Sequence, residues 1–164
     1  DNELSLDGWN VTNDAVMGGL SIGNIQLTDK ALVFSGSIST DNYGGFTSVF
    51  KKIPTLPDNV ESISINILGD GNDYQLRVRT QVSGYDLAYK IDFKTKQGQR
   101  EKYTFKLADF NASFRGRIID NAPLLEAKSI SYVGFLIKAK QEKNFSLSVQ
   151  QIKFMDSSIG KVQL

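Results

Sequence analysis

Histidine and cysteine are both absent from this 164-residue chain. Their absence excludes Ser-His-Asp and Cys-His triads, thiolate chemistry, zinc fingers, iron–sulfur ligation and any disulfide framework. Any catalysis would have to run on Asp, Glu, Lys, Tyr or Ser, without the side chain best suited to proton transfer near pH 7. Long apolar runs are missing too. The longest, Tyr132 to Ile137, is far too short for a bilayer core of about 30 Å. Neither sign of charge is in excess: nineteen Lys and Arg against eighteen Asp and Glu leave +1. With the signs interspersed, there is no electrostatic footprint for nucleic acid or an anionic membrane. The chain opens on Asp1-Asn2-Glu3, which reads as neither signal nor transit peptide. The expectation is a soluble protein, cytoplasmic or periplasmic, with no transmembrane segment.

What is present is alternation. Leu32, Phe34 and Ile38 share one parity, as do Phe46 and Phe50, Ile63, Ile65 and Ile67, and Tyr74, Leu76 and Val78. Leu87, Tyr89, Ile91 and Phe93 follow, then Tyr103, Phe105 and Leu107, and last Phe145, Leu147 and Val149. A period of two buries one face of each segment and exposes the other. No window holds a helical repeat; the stretch 122–128 is the one weak candidate. Turn-rich breaks separate the runs, so residues 1–164 read as one all-β domain, an antiparallel sandwich or jelly roll of eight to ten strands.

The pattern also sets registers. A hairpin of Tyr74–Thr80 with Tyr85–Phe93 through a four-residue loop puts Val78 opposite Leu87 and Leu76 opposite Tyr89. Arg79 then meets Asp86 on the solvated face, an ion pair worth about 0–1 kcal/mol. A second hairpin closed by 140–144 sets Ile137 opposite Leu147 and Phe135 opposite Val149. Ile130 through Ile137 is apolar at nearly every position, as expected of a strand covered on both faces or one whose outer face binds something. The apolar parity switches between Val149 and Ile152, which places a bulge at Gln150-Gln151.

Four loops concentrate residues that make contacts. In Asn13-Asp14-Ala15-Val16-Met17-Gly18-Gly19-Leu20-Ser21, the glycines permit close backbone approach while Asn, Asp and Ser offer donors and acceptors. The same loop could instead fold over the sandwich, with Met17 plugging the core. Tyr43-Gly44-Gly45 leads into a strand, where paired glycines mark a bulge or a crossing backbone. Gly69-Asp70-Gly71-Asn72-Asp73 has the acidic density of a calcium loop without EF-hand spacing, so it reads first as a turn, with the question of a cation left open. Arg115-Gly116-Arg117 suits a phosphate, a carboxylate or a partner's acidic residue, or pins its own loop through an aspartate. Asn10, Asn111 and Asn144 each head a glycosylation sequon, a pattern too short to weigh without a secretory context. Trp9 and Tyr43 could form a sugar-stacking platform or simply rim the core.

In order along the chain, several segments resemble one family. They are Trp9, Asn13-Asp14-x-Val16-Met17-Gly18-Gly19-Leu20-Ser21, Phe34-x-Gly36-x-Ile38-Ser39, Asn42-x-Gly44-Gly45-Phe46, Gly69-Asp70-Gly71-x-x-Tyr74, Arg115-Gly116-Arg117 and Val133-Gly134-Phe135. Together they are similar to the complex I intermediate-associated protein 30 family, from Trp9 to about Phe154. The resemblance implies a galactose-binding-domain-like jelly roll. It also implies a role of the kind its mitochondrial members have as assembly factors, although stand-alone bacterial members largely lack an assigned activity. Where relatives often carry a Trp before the Arg-Gly-Arg loop, this chain has Glu101-Lys102-Tyr103.

The sequence therefore points to a non-catalytic binding or assembly module without cofactor or metal. Its partner would be a protein or a small polar ligand, contacted by Asn13, Asp14, Met17, Ser21, Tyr43, Arg115 and Arg117 on loops at one end of the sandwich. Gly18, Gly19, Gly44, Gly45, Gly69, Asp70 and Gly71 would shape those loops. A carbohydrate-binding module is the alternative; a carboxylate hydrolase using Asp14 with Asp70 is a third reading.

Overall fold

A computed structural model describes residues 7–13, 21–28, 31–39, 45–82, 85–114, 117–118 and 122–156. Twelve strands account for most of them: β1 (Trp9–Asn13), β2 (Ile22–Leu27), β3 (Leu32–Ile38), β4 (Phe46–Lys52), β5 (Val60–Leu68), β6 (Asp73–Val82), β7 (Tyr85–Lys94), β8 (Arg100–Lys106), β9 (Asn111–Phe114), β10 (Arg117–Ile118), β11 (Ile130–Lys138) and β12 (Lys143–Asp156). Single 3₁₀ turns at Leu107–Asp109 and Ala127–Ser129 are the helical structure among the described residues. The strands form a seven-stranded sheet, β1-β4-β11-β6-β7-β9-β10, and a five-stranded sheet, β2-β3-β12-β5-β8. Every pairing is antiparallel. The result is the expected all-β sandwich of jelly-roll kind.

The core lies between the sheets and follows from the alternation. Leu32, Phe34, Ile63, Ile65, Ile67, Leu147 and Val149 come from one sheet, and Val49, Leu76, Val78, Val133, Phe135 and Ile137 from the other. Fully burying one such side chain is worth about 1.5–3 kcal/mol. Phe93 centres an aromatic cluster with Tyr74 at 6.0 Å, Tyr103 at 5.5 Å, Phe105 at 6.1 Å and Phe135 at 6.3 Å between ring centroids. Tyr103 of β8 thus contributes an aromatic packed against the core. The bulge expected at Gln150-Gln151 appears as a register shift between Val149 and Gln151 against β5.

Three expectations are corrected. The β6–β7 hairpin closes through residues 83–84 alone, because Val82 pairs with Tyr85. The register consequently slips by two residues from the one read off the sequence: Val78 faces Tyr89, Leu76 faces Ile91, and Arg79 faces Ala88 rather than Asp86. A slip of two keeps every side chain on its face, so the alternation cannot detect it. Secondly, β11 and β12 do not form a hairpin. β11 pairs with β4 and β6, whereas β12 pairs with β3 and β5, so residues 139–142 bridge the two sheets. An arch between packed sheets buries the same parity as a hairpin within one. Thirdly, Phe50 does not face the core. Its neighbour Val49 does, and Phe50 lies buried on the outer face of the seven-stranded sheet.

Candidate functional site: the outer face of the seven-stranded sheet

The registers arrange this outer face as rows running across the strands. One row reads Asn10, Phe50, Gly134, Arg77, Lys90 and Asn111; beside it runs Lys52, Tyr132, Arg79, Ala88 and Ser113. A third holds Thr12, Ser48, Leu136, Gln75 and Asp92. Phe50, Leu136, Gln75, Ser48 and Ser113 are all buried although they point away from the core.

Two small residues make this possible. Gly134 on β11 has no room for a side chain: a Cβ there would come within 2.0 Å of the Val49 carbonyl oxygen and 2.7 Å of the Phe50 ring. The ring therefore covers bare backbone, and Arg79 reaches across to stack its guanidinium 4.0 Å from the Phe50 centroid, with Tyr132 at 5.9 Å. Arg77 turns the opposite way. Its Nη2 crosses the β7 row at Ala88 and donates to Ser113 Oγ at 3.1 Å, while Nη1 donates to Gln75 Oε1 at 3.3 Å.

The electrostatics are unusual for arginine. Among the described residues neither Arg77 nor Arg79 pairs with a carboxylate, and the buried Nε–H of Arg77 has no acceptor. Burial draws the Arg77 guanidinium below its ordinary pKa, the Arg79 charge adds to the effect, and Asp92 opposes it. Arg77 nevertheless stays cationic, since arginine does not deprotonate in proteins. The ion pair on this face is instead Lys90 with Asp92, at 3.3 Å with Asp92 largely exposed.

The Asp70 turn is the opposite case. Its carboxylate accepts the Asn72 N–H at 3.0 Å, Asn72 Nδ2 at 2.8 Å, the Tyr74 hydroxyl at 2.9 Å and the Ser146 N–H at 2.7 Å. Tyr74 belongs to one sheet and Ser146 to the other, so Asp70 clamps the end of the sandwich. Burial first, and the adjacent Asp70 charge second, raise the Tyr74 phenol well above its usual range. Thr95 closes the turn by accepting from the Gly71 N–H at 3.1 Å and donating to the Asn72 carbonyl at 2.7 Å. Gly71 sits at φ +90°, and a Cβ on Gly69 would meet Thr95 Cβ at 2.3 Å. These glycines shape the turn, and the Asp70 oxygens are taken up by donors of the turn, of β6 and of β12. Among the described residues no three His, Cys, Asp or Glu side chains cluster as metal ligands.

Of the residues singled out from sequence, Ser21 is buried. Its hydroxyl donates to the Ser39 carbonyl at 3.1 Å and accepts the Ser39 N–H at 2.9 Å, stapling the β2–β3 end. The Gly45 carbonyl accepts the Ala139 N–H at 2.9 Å, with Gly45 at φ 142°. Asp14, Met17, Gly18, Gly19, Tyr43, Gly44 and Arg115 lie outside the described residues; so do the side chains of Asn13 and Arg117, whose backbones end β1 and open β10.

Even so, the backbone corrects the idea of a single loop cluster. Asn13 pairs with Thr47, which faces Ile137 at the level of Phe93 on β7. Ser113 pairs with Ala88, so Phe114 sits near the level of Leu87. At about 3.3 Å per residue and 4.8 Å per strand, the two corners stand about 20 Å apart along the strands and about 24 Å across them. Ser21, Gly45 and the Asp70 turn gather at one end, and the 114–117 hairpin lies at the other. Between those corners runs the Phe50–Tyr132–Arg79–Arg77 face; the sequence offered the outer face of residues 130–137 as one that could bind something, but did not single out Phe50, Arg77 or Arg79 beside it. The signal for it was present: Arg77-Val78-Arg79 puts two guanidinium groups on one face of a strand, beside a β11 apolar at both parities.

An open cleft elsewhere, between β5, β8 and the 125–128 segment, is lined by Val60, Leu107, Leu125, Glu61, Lys106 and Glu126 among others. It holds no constellation of the kind seen on the outer face.

The chain belongs to the complex I intermediate-associated protein 30 family, whose model matches residues 1–149. No curated protein matches it at a significant level of sequence similarity. Among solved structures it is similar to the family 11 carbohydrate-binding module from Clostridium thermocellum in complex with a β-1,3-1,4-mixed-linked tetrasaccharide. The TM-score is 0.73 at 16% identity, over 95% of this chain and 93% of that one. The same family of module from a cellulosomal cellulase of Clostridium thermocellum gives 0.72 at 14% identity, over 96% and 95%. An agarase gives 0.60 at 12% identity, with 94% of this chain matching 23% of the larger one. At these identities the likeness is one of fold.

Proposed function

We propose that this chain is a non-catalytic recognition module that binds a saccharide chain along the outer face of the seven-stranded sheet. The observation that carries the reading is the contrast in side-chain size and burial between the two outer faces. This one gathers Phe50, Tyr132, Arg79, Arg77 and Gln75 over Gly134 and Ala88, whereas the other presents Ser35, Ser37, Ser64, Ser146 and Ser148 with lysines. A ligand chain needs amides, hydroxyls and a few flat surfaces at fixed spacing, and a sheet face supplies them in rows. The described exposed large hydrophobics, Ile22, Leu27 and Leu124, all lie elsewhere, so this face lacks the exposed apolar centre of a protein interface. The loops at the two diagonal corners, Asn13–Ser21 with Tyr43–Gly45 and Phe114–Arg117, would grip the ends of an extended ligand. The likeness to carbohydrate-binding modules supports the saccharide. Family membership favours a second reading, a protein-docking module of the assembly-factor kind, through the same corner loops.

Titrating isotope-labelled protein with oligosaccharides and mapping amide shifts tests the face. Perturbation confined to residues 48–52, 75–79, 88–92 and 132–138 is the expected outcome. Shifts confined to β3, β5, β8 and β12 would reject this surface.

A further inference from the structure

The charge on this face specifies the ligand further, on the premise that the face takes a saccharide. We propose that the ligand is acidic, a uronate-type polysaccharide whose carboxylate docks on Arg79 with Arg77 as the second cation. Arg79 is exposed, its guanidinium plane is held against the Phe50 ring at 4.0 Å, and no acceptor among the described residues engages its edge N–H groups. A stacked guanidinium is thereby oriented without being neutralised. Its forked N–H edge matches a planar carboxylate bidentately. Arg77 lies one pair along the same strand, half-buried, and among the described residues it is hydrogen-bonded to the neutral acceptors Gln75 and Ser113 alone, with Nε–H unsatisfied. A partly buried cation without a counter-ion carries a desolvation cost that a bound anion offsets.

Positive charge alone does not make the argument, since Lys102, Lys106 and Lys153 charge the other outer face as well. Those lysines are exposed. The two arginines differ in being fixed by stacking and burial while their charge stays open. Asp92, which could have neutralised them, is held by Lys90. Beside the arginine pair, Asn111 is exposed and offers a neutral amide suited to a hydroxyl, while Gln75 and Ser113 lie buried and hold Arg77 in place. An acidic saccharide meets both the cations and the amide; a neutral glucan leaves the cations unpaired, and an acidic peptide leaves the amide without a matching hydroxyl.

Calorimetry on the full chain with oligogalacturonate, a neutral mixed-linked β-glucan oligosaccharide and poly-glutamate tests this. Oligogalacturonate should bind best, and its affinity should weaken by about tenfold or more in Arg79→Gln. It should also fall as salt rises from about 0.05 to about 0.5 M. Lys153→Gln, on the opposite face, should leave affinity within about twofold. Arg79→Lys, which keeps the charge but loses the fork, should also weaken oligogalacturonate binding, and circular dichroism melting should show both Arg79 variants folded. Equal binding of the neutral glucan, unmoved by Arg79→Gln, would overturn the acidic ligand while leaving the face as a saccharide site. Arginine-dependent binding of poly-glutamate alone would overturn the saccharide itself. Binding of none of the three overturns the inference.

Discussion

Asp70 and the Arg77–Arg79 pair are both charged groups set among strands, and they are treated in opposite ways. Around Asp70 the chain supplies a donor for each available direction: two from Asn72, one from Tyr74 and one from Ser146. Around the arginines it supplies an aromatic ring, an amide oxygen and a hydroxyl, but no carboxylate. A charge closed from within is part of the frame, and removing it orphans its partners. An oriented charge left open is available to something outside the chain. Neither the residue type nor the fact of burial separates the two; the accounting of partners does.

The comparison is sharpest where it can be broken. Asp70→Ala leaves the buried Tyr74 hydroxyl and the Ser146 N–H without their acceptor, so chemical denaturation should show a loss of about 3 kcal/mol. A loss below about 0.5 kcal/mol would mean the clamp is ornamental. Gly134→Ala acts on the other region. Its methyl group must displace the Phe50 ring or part β4 from β11, at a cost of about 1–3 kcal/mol, and the Arg79 stack should loosen with it. Unchanged stability there would show that the ring is not seated as described. A smaller effect separates the regions by pH. The folded-state pKa of Tyr74 is raised above the unfolded value of about 10, so the unfolded chain loses its proton first. The contribution is full below that value and declines as pH rises past it, by up to about 1.4 kcal/mol per pH unit. Tyr74→Phe should flatten the stability profile above that pH, and an unaltered slope would contradict the assignment.

Much of the frame was legible in the chain. The parities of Leu32, Phe34 and Ile38 and of Ile63, Ile65 and Ile67 identified buried faces, the Val149–Ile152 switch located a bulge, and Gly69 to Asp73 read as a turn. Period two says that a strand has two faces but not which sheet it joins, so Phe135 and Val149 appeared as neighbours in a hairpin when they belong to different sheets. Nor does it say which face is inward when both carry large groups; Phe46 and Phe50 outweighed Thr47 and Val49 by size alone. The arginine face was harder still. Arg79 and Asp86 made a plausible pair until loop length moved the register by two, and the open charge appeared only once that partner was gone.

The central claim is that the arginines on the outer face serve recognition rather than folding. Measuring the thermal midpoint and oligogalacturonate affinity of an Arg77→Gln, Arg79→Gln double variant side by side tests it most directly. The account predicts affinity abolished with the midpoint within about 2–4 °C of the parent, the shift that goes with about 1 kcal/mol of lost packing in a domain of this length. A collapse of the midpoint with affinity per folded molecule preserved would contradict it.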